Sequence, residues 1–410
     1  MFLDHLAWAL AAFLKIFSLW FLATSIFFFL RRRPYERRAP KTRFACLIPA
    51  RNEEAVIGAL VRSLTEQDYP AALRDIYVIP NNCADGTEAA ALAAGARILN
   101  CADPVRCKGD ALRQAVEHLL PLGYDAFCVL DADNVARPDF LSRLNDAFCA
   151  GARVAKARTV AKNPKDSWVA GCYALYYGMF ETFYNRSRAV LGLSAKLVGT
   201  GFAVHREVFE RLGGWSTVTI AEDAEFAAVC ATIGERVCWV PEAVTYDEVP
   251  RSFRVSVTQR RRWVSGVMSV AERKVPALLR ALPAVNKART ADITFFLCAP
   301  FAQACSVVPP LLLLLSALGR GALPAYLAAL PLSLAGGWLG MTLFAAVISS
   351  RLGRPHRPKL RSLLLFPLFM ASWLPLQIVS LLRRTTGWRE IRHGAPGKQK
   401  PLAPLLPDRG

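Results

Sequence analysis

The sequence lacks features that would point to a secreted or a zinc-binding protein. Its eleven cysteines are scattered, odd in number and never spaced as C-x-x-C, so we interpret them as reduced residues that mostly fill cores. No small-residue cleavage site follows the apolar residues 6–30, and Arg31, Arg32 and Arg33 follow instead. This pattern excludes a cleaved signal peptide and predicts a retained membrane anchor.

Acidic residues are also few, 32 against 51 Lys and Arg, which leaves a net charge of +19. Most of the excess lies in three short stretches that border apolar segments: +6 in residues 31–43, and +5 each in residues 351–361 and 383–410. Basic residues beside membrane segments are typical of cytoplasmic loops that contact anionic lipids. The charge therefore indicates membrane lipids as partners and argues against nucleic acid.

Four apolar segments divide the chain: residues 6–30, 293–318, 323–349 and 362–382. We predict a transmembrane anchor with a basic juxtamembrane segment at 1–42 and a cytoplasmic domain at 43–275. Interfacial and transmembrane helices follow at 276–382, with a basic tail at 383–410. We therefore expect a multi-pass protein of the inner or plasma membrane.

The side of the basic tail depends on the last apolar segment. If residues 362–382 span the membrane, the arginines of the tail lie outside, against the charge rule. The prolines at 309, 310, 367 and 375 permit a re-entrant or interfacial segment instead, so we expect a cytoplasmic tail.

Two carboxylates follow a buried strand in the soluble domain. Residues 126–130 are apolar, and Asp131 and Asp133 come directly after them. Carboxylates at i and i+2 can face one ligand, and ligands bind at the carboxyl ends of such strands. Because Mg²⁺ and Mn²⁺ prefer oxygen ligands, the pattern predicts a metal–diphosphate site.

Strands and helices alternate through the first half of this domain. Short apolar runs at 44–48, 75–80, 97–99 and 126–130 are separated by stretches with helical spacing. This predicts an α/β fold with a mostly parallel, Rossmann-like, nucleotide-binding sheet. Polar clusters follow the strands, and each of them alone could also be a helix cap or a turn.

Four motifs in this region carry a family resemblance. P-A-R-N-E-E, N-C-A-D-G-T, K-G-D-A-L and L-D-A-D-N occur in this order. They resemble the nucleotide-sugar half of the family 2 glycosyltransferases, an inverting GT-A family that includes cellulose, chitin and hyaluronan synthases. The resemblance implies that Asp131 and Asp133 hold Mg²⁺ or Mn²⁺ and the diphosphate of a UDP-sugar.

The same resemblance assigns the rest of the donor site. It implies that Glu53 and Asn81 lie near the uridine and that Lys108 lies near the phosphates. Many members carry Asp-Asp-Gly where this chain has Pro80-Asn81-Asn82. An amide therefore replaces a carboxylate in the predicted base site.

The acceptor half contains a second acidic pair. Ala221-Glu222-Asp223 resembles the T-E-D motif of the family, which implies that Asp223 is the catalytic base and Glu222 its neighbour. Taken alone, acids at a helix N-terminus are explained by the helix dipole. Nearby, residues 197–201 resemble a G-T-G stretch that lines the acceptor pocket, and residues 166–188 predict an aromatic helix that mainly packs in the core.

The most specific cluster is Gln259-Arg260-Arg261-Arg262-Trp263. On a helix, Gln259, Arg262 and Trp263 share one face while Arg260 and Arg261 point elsewhere, as on a basic amphipathic helix at a membrane surface. The cluster resembles the family's Q-x-x-R-W motif, which implies that Arg262 neutralises the leaving diphosphate and Trp263 stacks on a sugar.

These motifs predict a membrane-embedded inverting β-glycosyltransferase that moves a hexose or N-acetylhexosamine from a UDP-sugar. A growing polysaccharide is the first candidate acceptor, and a lipid, as in ceramide glucosyltransferases, is the second. A non-catalytic scaffold for polysaccharide export is the alternative of another class. The cytoplasmic tail receives further support from residues 385–393, which loosely resemble a tryptophan-containing motif of hyaluronan and chitin synthases.

Overall fold

The computed structural model describes residues 1–385, which form a mixed α/β domain and a set of long apolar helices. The strands are β1 (Phe44–Ala50), β2 (Arg74–Pro80), β3 (Arg97–Ile98), β4 (Ala126–Val129), β5 (Val135–Ala136), β6 (Val154–Ala161), β7 (Phe202–His205) and β8 (Val237–Asp247). The helices of the domain are α2 (Glu54–Thr65), α3 (Thr87–Ala93), α4 (Lys108–Leu119), α5 (Phe140–Cys149), α6 (Trp168–Met179), α7 (Arg186–Leu191), α8 (Arg206–Leu212), α9 (Glu222–Thr232) and α10 (Phe253–Ala281). The remaining helices are α1 (Phe2–Ser25), α11 (Lys287–Cys305), α12 (Val308–Gly319), α13 (Leu323–Arg351), α14 (Leu360–Ala371) and α15 (Trp373–Leu382).

One eight-stranded sheet organises the domain, in the order β3-β2-β1-β4-β7-β6-β8-β5. The first four strands are parallel, as the alternation of strands and helices predicts. Beyond β4 the sheet becomes mixed, because β7 runs antiparallel to both β4 and β6. In the second half, β6 and β8 again pair in parallel, whereas β5 runs antiparallel to β8. The prediction of a mostly parallel sheet therefore holds fully for the first half of the domain, and the second half is mixed.

The sheet carries helices on both faces. Apolar side chains of α2 and α5 pack on one face, and those of α4, α8 and α9 pack on the other. Phe44 to Ile48 of β1 are fully buried because both faces are covered. The carboxyl ends of β1, β2 and β4 meet at one edge, where Ala50 pairs with Pro80 and Leu47 with Val129.

The predicted aromatic helix at residues 166–188 is interrupted. It begins at Trp168, passes through a π-helical turn at Phe180–Asn185 and ends at Leu191. A π-helical turn widens the helix locally and is common at functional sites. Here it turns Phe180, Phe183 and Tyr184 toward the cavity described below.

Four helical segments in residues 1–385 are long and apolar enough to cross a membrane: Phe2–Phe29, Lys287–Gly319, Leu323–Arg351 and Leu360–Leu382. They match the four predicted apolar segments and indicate association with a membrane. The second is tied to the domain by a buried ion pair, in which Arg188 of α7 contacts Asp292 of α11 at 3.0 Å. Trp20 of α1 donates to the same carboxylate at 2.8 Å.

The last apolar segment lies along the domain over its whole length. At its start, the Ser362 carbonyl contacts the Cys172 thiol of α6. At its end, Ser380 bonds to Ser265 of α10 at 3.1 Å, and Arg384 pairs with Glu272 of the same helix. Both ends of the segment therefore contact helices of the α/β domain.

Candidate active site

A cavity of about 1490 Å³ opens at the carboxyl ends of β1, β2 and β4. Every residue that the sequence motifs single out as a candidate lines it: Glu53, Asn81, Lys108, Asp131, Asp133, Glu222, Asp223, Gln259, Arg262 and Trp263. These residues come from six separate places in the chain. The fold thus brings the candidate donor residues and the candidate acceptor residues to one cavity.

The turn that carries Asp131 and Asp133 is held by the G-T-G stretch. The Thr200 hydroxyl accepts from the Asp131 backbone N–H at 3.0 Å and donates to the Asn134 side chain. Gly201 has a φ of +64° and lies so close to Thr245 that a Cβ would approach its hydroxyl at 2.8 Å. Only glycine fits there without strain, which explains the small residues in this stretch.

The acidic pair has a third carboxylate beside it, Asp247 at the end of β8. Asp247 accepts hydrogen bonds from Tyr177 at 2.6 Å and from Asn134 at 2.9 Å. Burial, then the charges of Asp133 and Asp131, raise the pKa of Asp247 to about 8. Burial, then the charges of Asp131 and Glu248, raise the pKa of Asp133 to about 7. Asp131 and Asp133 offer carboxylate oxygens to a divalent cation, whose charge would relieve this repulsion.

Lys108, the first residue of α4, is an ionic link between the two acidic motifs. Its ammonium lies 2.5 Å from Asp131 Oδ1 and 3.3 Å from Glu222 Oε1, and it also donates to the Gly199 carbonyl. Burial alone would lower the pKa of Lys108, but the two carboxylates outweigh it and raise that pKa above its usual value. Glu222 is itself buried, which raises its pKa to about 7 even though Lys108 opposes the shift.

Asp223 faces the cavity from the first turn of α9, beyond Glu222. Burial raises its pKa, while the Ala224 backbone N–H at 2.8 Å and the cations Lys108 and Lys196 counteract the increase. Lys196 lies deeper in the cavity, with its ammonium 3.8 Å from the centre of the Phe180 ring. Burial lowers the pKa of Lys196 to about 8.

The Q-x-x-R-W residues lie on α10 and face the cavity as the helical spacing predicts. Gln259 accepts from the Tyr173 hydroxyl at 2.9 Å. Trp263 packs edge-on against Tyr173, with ring centres 6.1 Å apart, and stacks at 6.4 Å on Trp373 of α15. Arg262 lines the same wall. The indole is therefore positioned by the apolar helices as well as by its own helix.

The prediction that Arg260 belongs to a membrane-surface face is wrong. Its side chain is fully buried between α10 and the last apolar segment. The guanidinium donates to the Phe369 carbonyl at 3.0 Å and to the Ser372 hydroxyl at 2.8 Å, at the break between α14 and α15. A second helix covers this side of α10, so the side that helical spacing assigns to the surface is an interface.

The polar residues that follow β1 and β2 form the outer rim of the cavity. Asn52 adopts a left-handed conformation, with a φ of +56°, and its side chain accepts from the Ala84 N–H at 2.8 Å. The Glu53 N–H donates to the Thr87 hydroxyl at 2.8 Å. Asn81 is fixed through its backbone N–H, which donates to the Ala50 carbonyl at 2.8 Å. Hydrogen bonds within the protein therefore fix the conformation of the rim.

From this rim the cavity continues between the apolar helices. Its inner end is lined by Phe21 and Leu22 of α1, Phe296 of α11, Phe344 of α13 and Leu374 of α15. Aromatic residues of the predicted helix at 166–188 also line it, so that stripe contributes to the cavity as well as to the core. One continuous space therefore connects the acidic residues to the membrane helices.

Two site residues escaped sequence reasoning. Asp247 directly follows the strand residues Val244, Thr245 and Tyr246, the same pattern of a strand followed by an acid that identified Asp131. Lys196 directly precedes the G-T-G stretch. Either position could have been noticed, but nothing in the sequence shows that these residues face the other motifs.

Comparison with known proteins agrees with this geometry. The relatives include a probable glycosyltransferase YdaM of Bacillus subtilis, 28% identical over 57% of this chain and 59% of that protein. A beta-monoglucosyldiacylglycerol synthase of Trichormus variabilis is 29% identical over 44% of this chain and 39% of that protein. The aligned parts thus cover about two fifths to three fifths of these relatives.

A solved structure shares the fold over most of the chain. The mannosyltransferase PcManGT of Pyrobaculum calidifontis, in complex with GDP-mannose and Mn²⁺, matches with a TM-score of 0.58. The match covers 90% of this chain and 99% of that one at 20% identity. It confirms the predicted GT-A fold, and the four long apolar helices described above match the predicted membrane segments. The family description "Glycosyltransferase like family 2" matches residues 40–266, more than half of the sequence, and the chain therefore belongs to the family 2 glycosyltransferases.

Proposed function

We propose that the protein is a membrane-bound inverting glycosyltransferase that transfers a hexose from a nucleoside diphosphate sugar to a lipid acceptor. The observation that carries this proposal is the single cavity that joins the acidic turn to the apolar helices. A water-soluble donor can enter from the strand edge. An acceptor with an apolar tail can enter from the membrane.

On the donor side, Asp131 and Asp133 are the residues that would hold Mg²⁺ or Mn²⁺. The bound ion would neutralise the diphosphate as it leaves. Glu53 and Asn81 at the rim are placed for the base and ribose of a UDP-sugar. Lys108 would orient Asp131 toward the ion, because it already bonds to that carboxylate. PcManGT is in complex with GDP-mannose, so a GDP-sugar is the other donor to test.

On the acceptor side, Asp223 would act as the base. The acceptor oxygen attacks the anomeric carbon on the face opposite the diphosphate, its proton passes to the Asp223 carboxylate, and the bond to the diphosphate breaks. A donor with an α linkage then yields a β product. Arg262 would neutralise the departing diphosphate, and Trp263 would hold the sugar ring by stacking.

The membrane end of the cavity favours a lipid over a polymer. Phe21, Leu22, Phe344 and Leu374 give this end an apolar lining, which suits acyl chains. Polysaccharide synthesis, the first candidate from the sequence, keeps support from the aromatic rings of Tyr176, Trp263 and Trp373, which could stack on successive sugars. A non-catalytic scaffold is disfavoured because all ten candidate residues meet in one cavity.

We infer that the α/β domain is cytoplasmic and that residue 385 lies on the same side. Both ends of the Leu360–Leu382 segment contact α6 or α10 of the domain. A helix that crossed the bilayer would place its ends about 30 Å apart on opposite sides. This supports the re-entrant or interfacial arrangement. The tryptophan-containing stretch and the rest of the tail lie outside the described residues.

The test uses the purified full-length protein in lipid vesicles with Mn²⁺ and labelled UDP- or GDP-sugars. A single product that extracts into organic solvent would establish transfer to lipid. A water-soluble ladder of sizes would establish a polysaccharide synthase instead. Absence of transfer with every donor, while the Asp223→Asn variant binds lipid and nucleotide like the wild type, would favour the scaffold.

A further inference from the structure

A second cavity, of about 1180 Å³, lies beside the active-site cavity and is rich in arginine. Ten arginines face it, against four carboxylates. Thr159, Tyr177 and Glu181 line both cavities, so these three residues form a wall between them. Neither the family motifs nor the proposed transfer reaction uses this second space.

Some of its arginines are accounted for by ion pairs. Arg137 contacts Asp139 at 2.5 Å and Arg143 contacts the same residue at 3.1 Å. Arg32 pairs with Glu242. These arginines are neutralised locally and stabilise the cavity wall.

Five other arginines lack such a partner. Within residues 1–385, Arg31, Arg186, Arg351, Arg354 and Arg357 make no ion pair with a carboxylate, although Arg357 donates to the Leu352 and Ser350 carbonyls. The Arg186 guanidinium donates to the Leu30 carbonyl at 3.4 Å. Partial burial, then the charges of Arg351 and Arg31, lower the pKa of Arg186. These three cations therefore repel one another across the cavity, an arrangement that an anion would relieve.

The position of the cluster identifies the source of the anion. Arg31 lies two residues after the Phe2–Phe29 segment, and Arg351 ends the Leu323–Arg351 segment. The Arg351 guanidinium also packs over the Phe28 ring, 5.7 Å from its centre. The cluster thus lies at the ends of two helices long and apolar enough to cross a membrane, which is the level expected for lipid headgroups, and the Phe28 ring lies beside it.

We propose that this cavity binds the phosphate headgroup of an anionic membrane lipid through Arg31, Arg186 and Arg351. Guanidinium groups suit this role because they are weakly hydrated and match phosphate oxygens in a bidentate geometry. The site is separate from the acceptor site, so it does not depend on which sugar or acceptor the enzyme uses.

The test measures binding of dioctanoyl-phosphatidylglycerol to the purified full-length protein, by thermal shift and native mass spectrometry. Each arginine near an anionic lipid is expected to raise the affinity for that lipid roughly fivefold. The double variant Arg186→Gln/Arg351→Gln is therefore expected to bind the lipid roughly 30-fold more weakly. The matched control is Lys359→Gln/Arg361→Gln, which removes two charges from the same basic segment but none from the cavity. Its affinity should equal that of the wild type.

Three outcomes would overturn the proposal. They are an equal loss of affinity in both double variants, no loss in Arg186→Gln/Arg351→Gln, or inorganic phosphate binding as tightly as the lipid. Removal of repelling cations should not lower the Tm of the lipid-free protein. If the double variant nevertheless folds poorly, the exposed Arg31→Gln is expected to weaken binding roughly fivefold and provides the same test.

Discussion

Replacing Asp247 by Asn tests whether repulsion among the buried carboxylates destabilises the metal-free protein. It also tests whether a divalent cation relieves that repulsion. The pKa of Asp247 is raised to about 8, mainly by burial and by Asp133, whereas an aspartate in the unfolded chain keeps its ordinary pKa of 3.8. The folded protein therefore binds this proton more tightly than the unfolded one. Stability without metal is then greatest at low pH and is lost as the pH rises through 8.

The magnitude follows from the two pKa values. As the pH rises from 6 to 8, ionisation of Asp247 alone should lower the free energy of unfolding of the metal-free protein by roughly 2 kcal/mol. Water in the cavity screens the charges, so this is an upper value. For a domain of this size it corresponds to a fall in Tm of about 4–8 °C. Asp247→Asn removes the ionisation but loses one of the bonds from Tyr177 and Asn134, at a cost of about 1 kcal/mol.

The assay is thermal unfolding in detergent at pH 6 and pH 8, with a chelator or with Mn²⁺. The variant should be less stable than the wild type at pH 6 and at least as stable at pH 8. It should also gain less stability from Mn²⁺. The exposed Asp103→Asn is the control and should leave the pH slope unchanged. If Asp247→Asn keeps the full wild-type slope, the carboxylate cluster does not carry the repulsion inferred here.

Three further changes test the other assignments. Asp223→Asn should lower the rate of transfer by roughly 10²- to 10⁴-fold while nucleotide binding, measured by calorimetry, is retained; unchanged turnover would exclude Asp223 as the base. Lys196→Gln removes a cation that lowers the pKa of Asp223, so the acid limb of the pH profile of kcat/KM should move to higher pH. An acid limb that does not move would contradict the electrostatic interaction between Lys196 and Asp223. Arg260→Ala should cost roughly 3 kcal/mol, since it leaves buried partners unsatisfied, and should speed hydrogen exchange in α14 and α15; Arg261→Ala, on the same helix, should do neither.

The parallel half of the fold was predictable because local patterns determine it. Short apolar runs separated by helical spacing form βαβ units, and parallel strands in such units place their carboxyl ends at one edge. Asp131 and Asn81 therefore had to lie near each other. The order of strands beyond β4 was not predictable, since the antiparallel insertion of β7 depends on pairing between residues far apart in the chain.

The apolar segments were also predictable in part: their positions follow from the sequence, but their packing does not. Length and composition identify all four segments, but they do not show which of these segments pack against helices of the α/β domain. Arg260 illustrates the difference: its helix position predicts exposure, and the contact with Phe369 and Ser372 buries it. Burial of one helix face depends on what packs against it, and no periodicity within that helix contains this information.

The sequence by itself determined the motifs, their order, the membrane segments and the chemistry that these residue types can perform. Only the tertiary structure decided that Asp247 joins Asp131 and Asp133, that Lys108 links Asp131 to Glu222, and that unpaired arginines meet beside two membrane helices. The physical reason is distance along the chain. Propensity and periodicity act over a few residues, whereas a binding site depends on charges and surfaces that are brought together by the packing of the whole sheet and its helices.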